Sequence, residues 1–307
     1  MRLIRGLPPA GALAGGQALT VGTYDGLHLG HQALLERVRE HARRLALPTL
    51  MVTFEPMPRE FLTPDNPPAR LTSLRERWRC LEHMNLDALC VLRFGAATRD
   101  LSADQFARML AERLAPAVVV VGHDFRFGRG GGGTAKLLQA AGARLGFAVD
   151  IVPPVTLGGE RLSSSAIREA LAAGDLARAK RLLGRPYTMT ARVVRGEQLG
   201  RKLGFPTANL RFAHRKLPLA GIFATRVQVR GGAALRGVAS IGTRPTVGGT
   251  EPWLEVHIFD FDGDLYGREI SVECVQYLRP ERKFESLEAM VAQIREDAAQ
   301  ARALLIP

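Results

Sequence analysis

The sequence predicts two domains of different class. Residues 1–184 read as an α/β domain built on a helix-covered parallel sheet. Residues 185–307 read as a small antiparallel β-barrel followed by a terminal helix. Three observations carry this. Strand-like and helix-like apolar periods alternate through the first part, the pattern of parallel βαβ units. After Leu183-Gly-Arg-Pro186 the pattern changes to short β-rich runs with turn signals between them. The chain then ends in one helical stripe, Phe284–Leu305.

In the first domain, the strand Leu19–Val21 is followed by a helix whose apolar stripe is Leu34, Leu35, Val38, Ala42 and Leu45. Leu50–Phe54 is the next strand. Ser73-x-x-Glu76 is a capping box opening a helix that carries Trp78, Leu81 and Met84. Ala88–Phe94 is a third strand, and Ser102-x-x-Gln105 caps a helix carrying Phe106, Met109, Leu110 and Leu114. The run Ala117–Val121 suits a strand buried on both faces. A helix near Thr134–Leu145 and a strand near Ala148–Val152 complete the domain. Between them, Gly130–Lys136 lacks the Gly-Lys-Ser/Thr order of a P-loop and reads as a mobile loop.

In the second domain, Tyr187–Val194, Gly221–Val229, Leu235–Ile241, Trp253–Phe261 and Ile270–Tyr277 read as strands. Turns fall at Gly231-Gly232 and at Asp262-Gly263, and Asp-Gly between alternating runs is a hairpin signal. The terminal helix carries Leu287, Met290, Ile294, Ala298, Ala301 and Leu305 on one stripe, with Ser286 as its cap. Its simplest task is to cover the barrel.

Composition narrows the function classes. Hydrophobic residues make up 46% and charged residues 23%, which is ordinary for a globular chain. No apolar run approaches the length of a membrane span. The N-terminus lacks the order of a signal peptide, so a cytoplasmic, membrane-free protein is expected. Cys80, Cys90 and Cys274 are an odd number without metal spacing and read as reduced thiols. The net charge of +12 invites a nucleic-acid partner. The arginines, however, are scattered through helical segments such as Gln32–Leu47 and Asp175–Leu183, without a basic tail or interleaved aromatics. A basic surface also suits phosphate-bearing small molecules, and no nucleic-acid partner is expected. Nothing in the sequence excludes a homo-oligomer.

Five segments carry chemistry. In Gly22-Thr-Tyr-Asp-Gly-Leu-His-Leu-Gly-His31 a strand runs into a glycine-bounded corner with His28 and His31 three apart at a helix start. Gly30 leaves the backbone approachable, and the helix N-terminus offers N–H donors to a phosphate. Gly122-His-Asp-Phe-Arg-Phe-Gly128 leaves another strand with Asp124, Phe125 and Phe127, which could hold a sugar and a planar ring or, for the two phenylalanines, simply pack in the core. Thr53-Phe-Glu-Pro-Met-Pro58 leaves a third strand into a stiff loop. In Arg161-Leu-Ser-Ser-Ser-Ala-Ile-Arg168, Ser163, Ser164 and Ser165 open a helix, with Arg161 before it and Arg168 one turn in. In the second domain, Gly200-Arg-Lys-Leu-Gly-Phe-Pro-Thr-Ala-Asn209 places Thr207 and Asn209 on one side of a strand. Two neutral oxygens there suit a Mg²⁺ that keeps most of its water.

The His-x-Gly-His corner together with the Ser-rich helix start resembles the nucleotidyltransferase superfamily, and its longer form resembles FMN adenylyltransferases. Tyr24 stands where that family usually has Phe, and His123 where it often has a bulkier aromatic. Gly200–Asn209, with Gly221-Ile-Phe-Ala224, Ser240-Ile-Gly-Thr-Arg-Pro-Thr246 and Glu255, resembles riboflavin kinases, in which Asn is usual at the Ser240 position. The resemblance spans about Val21 to Arg302 and implies a bifunctional riboflavin kinase/FMN adenylyltransferase of bacterial type. That family joins a Rossmann-like nucleotidyltransferase domain to a riboflavin kinase-like barrel. Riboflavin, ATP and FMN would be its substrates, FMN and FAD its products, and Mg²⁺ its metal.

The resemblance also implies roles. His28 and His31 would act on the ATP α-phosphate, and Glu255 would be the kinase base. Gly22, Gly30, Asp124, Arg161, Ser163, Ser164, Ser165, Arg168, Gly200, Lys202 and Gly204 would hold nucleotide and phosphates. Phe54, Phe125 and Phe205 would contact flavin, and Thr207 and Asn209 would hold the metal. Two other readings remain compatible with the sequence. One is the same fold with a single activity, and the other is a flavin-responsive regulator bound to nucleic acid.

Overall fold

The structure is a computed structural model. It describes residues 1–196, 200, 203–212, 216–229, 232–246 and 249–306, without the side chains of 244–246 and 249–250. The chain forms two compact units. One comprises Met1–Pro68 and Thr72–Ser163, the other Ala69–Leu71 and Ser164–Pro307.

The first unit contains, in order, β1 (Arg2–Arg5), β2 (Gln17–Val21), α1 (Leu29–Leu45), β3 (Thr49–Glu55), α2 (Pro58–Leu62), α3 (Leu74–Glu82), β4 (Ala88–Arg93), α4 (Ala96–Arg99), α5 (Ala103–Leu114), β5 (Pro116–Gly122), β6 (Arg126–Phe127), β7 (Gly133–Thr134), α6 (Ala135–Leu145), β8 (Ala148–Val152), β9 (Thr156–Leu157) and β10 (Glu160–Arg161). Six of the strands form one sheet in the order β1-β4-β3-β2-β5-β8, and every pairing in it is parallel. The order reverses between β2 and β5. In open parallel sheets the crevice at such a reversal, beyond the carboxyl ends of the strands, is where ligands bind. The segments leaving β2 and β5 here are the His28/His31 corner and the Asp124 turn.

Local chemistry explains most boundaries. Ser73 and Ser102 cap α3 and α5 in reciprocal boxes with Glu76 and Gln105. Leu19, Val119, Val121, Leu50 and Val52 fill one core cluster together with Phe106, Leu110 and Leu138 from the helices. Helix α1 starts at Leu29 with His28 as its cap, so the two histidines stand at the helix start as expected. The sequence reading changes at two points. Strand β1 was not visible in the sequence: four residues at a sheet edge, only one of them buried, carry too little apolar signal. Gly130–Lys136 is not a loose loop, since Gly133 pairs with Phe127 and the Thr134 side chain caps α6.

The second unit begins with α7 (Ser164–Ala172) and α8 (Leu176–Leu183), which pack on each other. It continues with β11 (Thr188–Val194), β12 (Ala208–Arg211), β13 (Gly221–Val229), β14 (Ala234–Thr246), β15 (Gly249–Ile258), β16 (Glu269–Arg279) and α9 (Leu287–Leu304). The strands close into a barrel in the order β11-β12-β15-β14-β13-β16. Residues Ala298, Ala301 and Leu305 of α9 and its end pack on Ile222, Ala224, Val238 and Phe259, so the terminal helix covers the barrel as expected.

The Asp262-Gly263 hairpin is not formed. Strand β15 pairs with β12 and β14, and β16 with β11 and β13, so the segment between them crosses one end of the barrel. Asp-Gly marks where the chain turns; it does not say which strand follows as neighbour. Gly231 lies outside the described residues. Cys90 and Cys274 are buried, and burial pushes their thiols up to about 11 and about 12, as inert core groups.

Candidate active sites

The corner after β2 is tightly built. Tyr24, Gly26 and Leu27 all have positive φ, at 52°, 88° and 45°. Strain of this kind gathers where a structure must aim side chains rather than merely turn. His28 then takes the extended N-cap conformation, and its Nδ1 accepts the His31 N–H at 3.3 Å. With Nδ1 used as acceptor, the ring proton belongs on Nε2, which makes that nitrogen the donor. The imidazoles of His28 and His31 stack with centroids 3.6 Å apart. Tyr24 packs its ring beside His31, and its hydroxyl meets Thr20 Oγ1, which also donates to Val120 O at 2.6 Å. Burial pushes the Tyr24 hydroxyl far above the usual phenol range. The Tyr-for-Phe departure is thus accommodated by one polar neighbour.

Two glycines of the corner are there for space. A Cβ on Gly30 would sit 3.1 Å from the His28 ring, and a Cβ on Gly22 would sit 3.0 Å from the Tyr24 ring. Asp25 is buried and accepts from the backbone N–H and the hydroxyl of Thr72 at 2.9 and 3.2 Å.

At the end of β5, Asp124 is exposed and pairs with Arg161, an ion pair that sequence spacing did not foretell. Phe125 is half-buried and stacks on Phe127, whereas Phe127 and Phe54 belong to the core. Phe54 meets Phe94 edge-on, 5.8 Å between centroids. Phe54 is therefore a packing residue of β3 in this structure, while Phe125 keeps an accessible face. Ser163 precedes α7, Ser164 and Ser165 are its first residues, and Arg168 Nε donates to Ala69 O at 2.5 Å.

In the barrel unit a cavity of about 330 Å³ gathers much of the second set: Gly200, Phe205, Thr207 and Glu255 line it. Strand register explains the gathering. Glu255 lies directly across from Asn209 on β12 and from Ser240 on β14. Alternate residues Leu254 and Val256 are buried in the barrel, so Glu255 projects from its outer face. The turn over this face is close-fitting. A Cβ on Gly200 would lie 2.4 Å from Phe205 O, and one on Gly196 would lie 2.5 Å from Asn209 Oδ1. Gly204 supplies the turn's positive φ of 84°. Lys202 lies outside the described residues.

Asn209 is buried, its Nδ2 donates to Thr207 O at 3.3 Å, and its Oδ1 has no hydrogen-bond partner among the described residues. A buried amide oxygen left this way, beside a threonine hydroxyl and a carboxylate, fits an all-oxygen site for a hard cation.

Sequence reasoning missed the far wall of this cavity. Met290 and Ile294 of α9 line it, as do Phe284, Arg279 and Asp297. Arg279 binds Asp297 through two bonds of 2.8 and 2.6 Å, and Gln293 adds a third at 3.1 Å. The apolar stripe announced a covering helix; its polar residue Asp297, at a buried position, was the signal that it also builds a site.

An α/β unit with paired imidazoles at a sheet reversal, followed by a barrel whose cavity is lined by a threonine and a carboxylate, defines a two-centre nucleotide-handling enzyme. The family model described as FAD synthetase matches residues 12–166, and the one described as riboflavin kinase matches residues 183–305. The chain is 42% identical to a bifunctional riboflavin kinase/FMN adenylyltransferase of Haemophilus influenzae, with 99% of each chain covered. It is 44% identical to one of Pseudomonas fluorescens, covering 100% of this chain and 99% of that one. A solved structure described as a macrolide-efflux protein from Streptococcus pneumoniae shares 31% identity and a TM-score of 0.81, over 98% of this chain and 99% of that one. Among the described residues, no helix is long and apolar enough to cross a membrane. The chain belongs to the bifunctional riboflavin kinase/FMN adenylyltransferase family.

Proposed function

We propose that the chain phosphorylates riboflavin to FMN with ATP, and then joins FMN to a second ATP to give FAD and pyrophosphate. Residues 185–307 carry the first step and residues 1–184 the second. The observation that supports this best is that both family models match, in order, and that the matched segments contain all of the candidate site residues but Arg168.

In the kinase step, Glu255 takes the proton of the ribityl 5′-hydroxyl as that oxygen attacks the γ-phosphorus, the bond from the γ-phosphorus to the bridging oxygen breaks, and ADP leaves. The half-buried carboxylate is aimed into the cavity from the outer barrel face. Gly200 and Gly204 shape the turn for phosphates, together with Lys202, and Phe205 offers a ring to flavin. Thr207 and Asn209 would hold Mg²⁺, which when bound offsets phosphate charge.

In the adenylyl step, a phosphate oxygen of FMN attacks the α-phosphorus of ATP, the new P–O bond forms, and the bond to pyrophosphate breaks. His28 donates from Nε2, and His31 from its ring, to the α-phosphate oxygens as negative charge grows. Gly22 and Gly30 keep the corner open to the nucleotide. Asp124 contacts the nucleoside, and Phe125 offers its accessible face to flavin. Arg161, Ser163, Ser164, Ser165 and Arg168 hold the β- and γ-phosphates and the leaving pyrophosphate. The Asp124–Arg161 pair would open as substrate enters.

On this reading the positive charge serves phosphate-bearing substrates. No nucleic-acid partner is involved, the protein works in the cytoplasm, and it could self-associate. Incubation with riboflavin, ATP and Mg²⁺ tests the function: FMN should rise first and FAD follow. Formation of neither product overturns the reading.

A further inference from the structure

The corner that presents His28 and His31 contains two non-glycine residues, Tyr24 and Leu27, at positive φ. Each such residue is strained and persists only where its surroundings over-determine it. On the β3 side, one guanidinium does the holding. The Arg77 side chain on α3 is fully buried. Its Nη1 donates to Thr23 O at 2.9 Å and to Thr53 Oγ1 at 2.8 Å, and its Nη2 donates to Glu55 Oε2 at 2.8 Å. Thr53 Oγ1 donates in turn to the same Thr23 carbonyl, at 3.1 Å.

The carbonyl so gripped belongs to the residue immediately before Tyr24. The carboxylate belongs to the last residue of β3, where the loop toward α2 begins. A fully buried cation is costly unless it is paired and hydrogen-bonded, and ordinary packing of α3 would be served by an apolar residue. The planar fork of arginine meets three separate acceptors at once; a lysine ammonium has no such fork.

We propose that Arg77 is a positioning residue for adenylyl transfer: it fixes the Thr23 carbonyl against the end of β3 and so sets the corner from which His28 and His31 act. The inference rests on the proposed role of those two histidines. Arg77 itself touches no substrate. A displacement of the corner by about an ångström is enough to cost up to about a hundredfold in rate.

The test uses the full-length chain carrying Arg77→Lys, or Thr53→Val, which removes the shared hydroxyl without uncovering a charge. Both are compared with His31→Ala. For each, kcat and KM for FMN-to-FAD conversion are measured well below the melting temperature, and the riboflavin kinase rate of the same preparation is recorded. Arg77→Lys should lower kcat for FAD formation about tenfold or more, and Thr53→Val about threefold. KM for ATP and FMN, and the kinase rate, should stay within about twofold. If Arg77→Lys fails to fold, Thr53→Val decides. A folded variant with unchanged kcat, or with a raised KM and unchanged kcat, overturns the proposal while an inactive His31→Ala leaves the histidine assignment standing. An active His31→Ala overturns that assignment and the proposal with it.

Discussion

Asn209 and Glu255 face each other across the β12/β15 ladder, on the outer face of the barrel. One brings a buried amide oxygen without a partner among the described residues, the other a carboxylate on the wall of a cavity of about 330 Å³. Their adjacency joins the proposed metal site to the proposed base, though 45 residues lie between them in the sequence. The first prediction follows from it. Asn209→Ala should raise the Mg²⁺ concentration needed for half-maximal FMN formation about tenfold or more, the loss of one good oxygen ligand or its support. FAD formation from supplied FMN should keep its Mg²⁺ dependence. A Mg²⁺ titration of the two rates checks both.

Gly30 is the second test point. A methyl group there would press on the His28 ring at 3.1 Å, so Gly30→Ala should displace an imidazole rather than unfold a helix. Alanine is otherwise the better helix residue, by about 1 kcal/mol. The expected outcome is an unchanged or slightly higher melting temperature with adenylyl transfer reduced about tenfold or more, read from FAD formation and a thermal melt of one preparation.

The pair Arg279–Asp297 bounds the barrel cavity from β16 and α9. Removing one partner of a buried pair typically costs about 3–5 kcal/mol, because the other charge stays behind. Asp297→Ala should therefore destabilise the barrel unit by about that amount and raise KM for riboflavin, because α9 supplies Met290 and Ile294 to the same wall. Denaturant unfolding and riboflavin saturation curves measure the two effects.

Asp150 on β8 gives the pH prediction. Burial works against its charge, but hydrogen bonds from His41 and Arg37, each at 2.6 Å, hold its carboxyl below the usual carboxylate range. Arg44 donates to the other His41 nitrogen at 2.9 Å, leaving the proton on Nε2 to face Asp150. The folded pKa is the lower one, so the stabilisation is present above the unfolded value of about 3.9 and is lost as pH falls through the folded value. Asp150→Asn should lower the melting temperature at pH 7, and the gap to the unaltered protein should begin to narrow only as pH falls below the unfolded value of about 3.9. Thermal melts across the acid range would show it; a gap that stays constant as pH falls, or that narrows already at neutral pH, contradicts the assignment.

Much of this was legible in the sequence for physical reasons. Capping boxes are local, so Ser73/Glu76 and Ser102/Gln105 marked α3 and α5 correctly. The β-branched run before Gly122 announced a strand buried on both faces. What stayed hidden depends on contacts distant in sequence. The partners of Arg77 lie 22 to 54 residues away, and in the sequence it was one arginine among many on a basic helix. The Asp124–Arg161 pair joins the β5 exit to β10, and the crossing of Asp262-Gly263 past the barrel end is a matter of strand order that no turn signal encodes. Phe54 and Phe125 were alike as aromatics at strand exits; burial separates them.

The central claim is that two sets of residues, in separate segments, carry consecutive steps. The most direct measurement follows FMN and FAD together in His31→Ala and Glu255→Gln, each supplied first with riboflavin and then with FMN, always with ATP and Mg²⁺. His31→Ala should accumulate FMN from riboflavin and make FAD about a hundredfold or more slowly from either substrate. Glu255→Gln should make FAD from FMN at the normal rate and almost no FMN from riboflavin. Loss of both steps in either folded variant, or retention of both, contradicts the account.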